Sequence, residues 1–186
     1  MKFPPIDLTR VVTYSLKQRK SKVAAEVLGV PWQARGKMRD FLSSLPRTLA
    51  AADLREIVQR IATAVRAQRP VVLGMGAHPL KVGLSPLIID LLERGVLSAV
   101  AMNGAGIIHD FELAYHGETS EEVAEALADG SFGMARETGE FLNAAIHAGV
   151  TQAGAGIGRA VGERIRAAGF PYVHLSVLAA CARLDV

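Results

Sequence analysis

The chain has 186 residues, half of them apolar, with 21 Lys+Arg against 18 Asp+Glu and a single cysteine. That length fills one sizeable domain, and a lone Cys181 excludes both a disulfide framework and a cysteine-based zinc spacing. The N-terminal MKFPPIDLTRVV lacks the apolar core of a signal peptide, and no apolar run elsewhere is long and charge-free enough to cross a bilayer, so a soluble, cytoplasmic protein is expected.

The small net charge hides an asymmetry. Residues 1–69 hold 14 Lys+Arg against 5 Asp+Glu, whereas residues 70–186 hold 7 against 13. The densest basic run is Lys17, Arg19, Lys20 and Lys22, with Tyr14 nearby but no interleaved aromatics for stacking bases. Such a front suits a nucleic acid, an acidic small molecule, or an arm lying on the acidic part of a neighbouring subunit.

In chain order, residues 1–52 read as an irregular basic arm with prolines at 4, 5, 31 and 46, and residues 53–186 read as the folded domain. Asp53 and Glu56 form a capping-box-like pair, and Leu54, Ile57, Val58, Ile61 and Val65 follow on one helical stripe that Pro70 closes. Val71–Leu73 is a short buried strand stopped by Gly74. After a glycine-rich loop, Ser85 and Pro86 start a helix that ends at Gly95, and Val96–Met102 is a second apolar strand. Strand, helix, strand demands a parallel pair and places the chain in the α/β class. Beyond it, Thr119 and Glu122 suggest a capping box. Helical spacing runs through Phe141 to Ile146 and from Ile157 to Ala168, and Tyr172–Leu175 reads as a third strand before a helix at Ser176–Arg183.

Two loops, residues 74–85 and 102–110, fall at the carboxyl ends of successive parallel strands, where open α/β sheets place their ligand crevice. Their glycines let a backbone approach a phosphate or a ring closely, and each precedes a helix whose first amides attract anions. His78, Lys81, Asn103, His109 and Asp110 are the polar side chains there. Asn103 suits a ribose or amide contact, and His109 with Asp110 is either an ordinary first-turn pair or a general base with its orienting carboxylate. His116, His147 and His174 have no ligand spacing, so no metal site is expected. GAGIG at 154–158 lacks the G-x-G-x-x-G spacing and a preceding strand, and reads as tight packing at a helix start.

The stretch LGMGAHPLKVGLSPLIIDLLERGVLSAVAMNGAGIIHDFELA, residues 73–114, resembles deoxyhypusine synthases, whose comparable segment runs as glycine loop, S-N-L, helix, valine-rich strand, T-T-A-G-G-x-E-E-D. The resemblance implies a Rossmann-like parallel sheet flanked by helices, NAD as cofactor, a homotetramer, and family chemistry in which NAD-dependent dehydrogenation of a polyamine passes an aminobutyl group to a protein lysine. By position it places the two NAD loops on Ala77, His78 and Lys81 and on Asn103, Gly104 and Ala105. The family's paired glutamates fall on Ile108 and His109, which hold an ammonium group poorly, and Asp110 keeps the following aspartate. No lysine follows Lys81, so the chain is expected to be truncated relative to the family and to lack its lysine step. The alternatives are another NAD-dependent transferase or hydrolase acting on a small amine or acyl-lysine, and a noncatalytic nucleic-acid or partner-binding module using the arm at residues 17–22.

Overall fold

A computed structural model of the protein describes residues 3–151 and 155–186. The chain divides into two compact units, the boundary falling between Gln59 and Arg60.

The front unit has three short 3-10 turns, Leu8–Arg10, Leu16–Gln18 and Ala25–Val27, then α1 (Met38–Ser44) and the start of α2 (Leu49–Arg66). Its turns are held locally: the Asp7 carboxylate accepts from the Thr9 amide at 3.0 Å, and the Ser15 hydroxyl accepts from the Lys17 amide at 3.3 Å. Longer ties are the Val30 amide to the Ser44 carbonyl and the Arg47 amide to the Val27 carbonyl, both 2.8 Å. Trp32 meets Phe41 edge to face at 6.4 Å. No residue from 3 to 59 is buried.

Asp53 does not open α2. The helix begins at Leu49, because the alanine-rich turn ahead of Asp53 is itself a good helix former. Nor does Pro70 end it. Gln68 adopts a left-handed φ of 52°, and the Gln68 and Arg69 amides turn back to the Val65 and Ala64 carbonyls, a Schellman closure built on glutamine.

In the second unit β1 (Val72–Met75) leads to a one-turn helix α3 (His78–Lys81), then α4 (Ser85–Glu93) and β2 (Ala99–Met102). The two strands are parallel, Val72 opposite Ala99 through Met75 opposite Met102. Gly95, at φ 66°, closes α4 as a Schellman turn, its amide on the Leu92 carbonyl and that of Val96 on the Leu91 carbonyl. Next come α5 (Gly104–His116), α6 (Val123–Asp129), α7 (Arg136–Thr151), α8 (Ile157–Ala168) and α9 (Val177–Leu184). The described chain is thus mostly helical with one small parallel pair, α/β in the coarse sense.

Tyr172–Leu175 forms no strand. Val173–Leu175 is a 3-10 turn, because the Tyr172 amide is taken by the Ala114 carbonyl at the end of α5 (3.2 Å) and the Val173, Leu175 and Ser176 amides donate to the carbonyls of Phe170, Tyr172 and Val173. The Tyr172 ring covers Gly117, where a Cβ would lie 2.8 Å from it. Thr119 caps nothing either: α6 starts at Val123. Ser85 sits inside the first turn of α4 after Leu84, its hydroxyl buried without a partner. In the 154–158 motif, Gly154 lies outside the described residues, and Gly156 is the residue before α8.

Two apolar clusters share α9. Val177, Ala180 and Cys181 join Leu80, Ile88, Ile89, Leu92 and Leu97 beside the strands. Leu178 and Ala179 join Phe111, Ala114, Leu142, Ala145, Val161 and Ile165. Phe111 stacks on Phe141 at 4.5 Å and meets Phe170 edge to face at 5.8 Å. Gly162 lets α8 approach α9, for a Cβ there would sit 2.3 Å from the Leu178 carbonyl oxygen. No described helix is long and apolar enough to cross a membrane.

Candidate functional site

The register that pairs Met75 with Met102 sets the two strand tips side by side. Gly76 and Asn103 are the next residues, and a Cβ on Gly76 would lie 3.9 Å from Asn103 Nδ2. The side chains of Met75 and Met102 pack against the apolar cluster, and the residues just past the tips, Gly76, Asn103, Gly104 and Ala105, are small or polar and exposed.

Asn103 is the N-cap of α5, its Oδ1 accepting from the Gly106 amide at 3.0 Å. Its carbonyl oxygen is therefore already engaged, and only the Nδ2 donor is left for a ligand, half of what its amide offers. Gly104 and Ala105 occupy the first two helical positions, whose amides have no intrahelical acceptor. Both are exposed, and nothing lies within 4 Å of where a Gly104 Cβ would project. Gly106 serves another purpose: it is buried, and a Cβ there would meet Met102 Sδ at 3.0 Å, so this glycine lets α5 press against β2.

On the first loop Ala77 is half-buried, and His78 and Lys81 are exposed within α3. Lys81 also borders a cavity of about 500 Å³ shared with Ser85, Leu113, Glu118 and Thr119. All six loop residues thus lie on the two segments that follow the strand tips, Lys81 farthest out.

The fold separates His109 from Asp110. Asp110 is fully buried. Its Oδ1 accepts from the Val177 amide at 2.6 Å, and its Oδ2 accepts from the Ser176 hydroxyl at 2.5 Å and the Leu178 amide at 3.2 Å. Ser176 in turn accepts from the Ala179 amide at 2.9 Å, as the N-cap of α9. Burial pushes the Asp110 carboxyl up to about 6, against the pull of those three donors. Asp110 is an anchor between α5 and α9 rather than the partner of an imidazole, since its oxygens are committed to the α9 amides.

His109 is oriented by different groups. Its Nδ1 lies 2.6 Å from Thr119 Oγ1, which donates to Glu112 Oε2 at 2.5 Å, while the Thr138 hydroxyl donates to Glu112 Oε1 at 3.3 Å. Thr119 has one proton and gives it to the carboxylate, so it accepts from His109, and the histidine carries its proton on Nδ1. Nε2 has no partner among the described residues and is not enclosed, and the side chain is 16% exposed. Glu112 was missed in the sequence, although its i, i+3 spacing from His109 on α5 was the available signal. Thr119 gave no such signal, because it arrives from the loop after the helix. A cavity of about 350 Å³ lined by Glu112, Tyr115, Thr119, Glu121 and Thr138 lies beside this chain of groups.

Cys181 is buried, and burial with the nearby Asp110 raises its thiol to about 11. It is therefore protonated and unsuited to nucleophilic work. Compared with protein-family models, with curated proteins and with solved structures, the chain matches none of them.

Proposed function

We propose that the protein is a deoxyhypusine synthase-like, Rossmann-like nucleotide-binding domain that holds NAD across the tips of β1 and β2. The observation that carries this reading is the in-register parallel pair ending in Gly76 on one side and Asn103–Gly104–Ala105 on the other. The open amides of Gly104 and Ala105 at the start of a 13-residue helix suit a phosphate, and Asn103 Nδ2 supplies a donor, with Lys81 at the end of the helix after the first strand as a further cation. The bound dinucleotide would supply a hydride acceptor. The chain's own residues would hold its phosphate and orient it.

Calorimetric titration of the full chain with NAD tests this, with saturable heat expected. Gly104→Asp is the matched control. The new side chain projects into open space, and an acidic residue in the first helical turn favours α5, yet it sets a carboxylate against the phosphate. Binding should fall at least tenfold while stability holds. Folded protein that gives no heat at saturating NAD refutes the proposal.

A second reading, an NAD-dependent transferase or hydrolase, is favoured by one observation: the Glu112–Thr119–His109 chain is half-buried and orients the imidazole through Nδ1, leaving Nε2 unpartnered among the described residues. Polyamine or lysine substrates belong to this reading. Along α5, His109 lies about 9 Å beyond Asn103, so a ligand held at Gly104 must extend that far to meet it. His109→Ala should abolish NAD-dependent turnover of an amine or acyl-lysine and leave NAD binding within about twofold.

A further inference from the structure

The front unit has no buried core among its described residues. Seventeen large apolar side chains between Phe3 and Val58 are exposed, among them Ile6 at 83%, Val12 at 91% and Met38 at 71%. Fixing such a backbone costs conformational entropy that local turns offset poorly, and apolar surface on this scale marks a contact surface. Residues 3–47 also hold nine Lys+Arg against three Asp+Glu.

The second unit carries a surface of the opposite kind. Residues 118–140 hold seven Asp+Glu against one cation, Arg136. Among these acids stand exposed apolar side chains, Val123 at 45%, Leu127 at 63%, Phe132 at 44% and Met134 at 75%. Glu121 is partly committed, accepting from the Gly133 amide at 2.7 Å, while Glu118, Glu122, Glu125 and Asp129 are exposed. One surface is apolar and basic, the other apolar and acidic, and both belong to the same sequence.

We infer that the basic arm of one copy docks on the acidic surface at residues 118–140 of a second copy, with Lys17, Arg19, Lys20 and Lys22 facing Glu118, Glu122 and Glu125. Reciprocal docking of two arms closes the assembly as a dimer. A nucleic acid would use the same lysines but leave Val123, Leu127 and Met134 uncovered, which is why a second copy is the better occupant. The contact is independent of whether the strand tips hold NAD.

The test uses two charge-reversed full chains, one with Lys17→Glu, Arg19→Glu, Lys20→Glu and Lys22→Glu, the other with Glu118→Lys, Glu122→Lys and Glu125→Lys. Light scattering should find the native chain associated at low salt and at least about tenfold weaker at high salt. Each variant alone should be weakened at least tenfold. Their mixture should reassociate, because every arm then meets a surface of opposite charge. Carbodiimide coupling of a mixture of isotope-labelled and unlabelled native chains should join Lys17–Lys22 of one label to Glu118–Glu125 of the other. A monomeric native chain, cross-links only within one label, association indifferent to both variants, or arm-dependent RNA binding without self-association overturns the inference.

Discussion

Replacing Asp110 by Asn isolates the balance between burial and capping at the join of α5 and α9. The carboxyl is held at about 6 in the fold against an ordinary 3.8, so ionising it costs about 3 kcal/mol more in the native state than in the open chain. Because the folded value is the raised one, this stability is fully present below about pH 4 and is lost as pH climbs through about 6. Asn cannot ionise, so its variant lacks that slope. It also cannot accept from the Val177 and Leu178 amides at both positions, leaving one donor unmatched at a cost of about 1–3 kcal/mol. Urea denaturation of both proteins between roughly pH 4 and pH 7 should show the native chain ahead by that amount at the acid end and the difference moving by about 2–3 kcal/mol in the variant's favour towards neutrality, enough to close or reverse it. A gap independent of pH, or one that widens as pH rises, would mean the three donors outweigh desolvation and would refute the reasoning.

Three further outcomes follow from the packing and the relay. Gly162→Ala drives a methyl group to 2.3 Å from the Leu178 carbonyl oxygen and should cost about 3 kcal/mol by parting α8 from α9. That lowers the melting temperature by about 6–12 °C, whereas Gly158→Ala, whose nearest neighbour is Leu178 Cδ2 at 4.0 Å, should be neutral or slightly stabilising in a calorimetric scan. Cys181, buried and raised to about 11, should resist Ellman's reagent in native protein and react only at the rate of unfolding. Thr119→Val removes the hydroxyl between His109 and Glu112; ¹⁵N spectra should then show His109 losing its Nδ1–H preference while circular dichroism stays unchanged.

The local grammar of the sequence carried the fold where local forces decide. Gly95 and Gly169 mark helix ends that close with left-handed glycines, and the two strands read correctly as parallel neighbours, although β1 runs past Gly74 to Met75 with Val72 exposed rather than buried, and β2 begins only at Ala99. It failed where a distant group intervenes. The β-branched run at Tyr172–Leu175 looks like a strand, yet the Ala114 carbonyl captures its first amide. Asp110 looks like a helper for His109, yet donors 66 to 68 residues later claim it. That the two loops follow neighbouring strand tips was legible by position, while the occupation of Asn103 Oδ1 by Gly106 and the Thr119 bridge emerge only from the folded chain.

The sharing of α9 between both apolar clusters bears on biosynthesis. Until Val177–Leu184 has left the ribosome, α4 and α5 present greasy faces with nothing between them, and Asp110 waits without the amides that hold it. The second unit therefore cannot complete either apolar cluster until translation has passed α9.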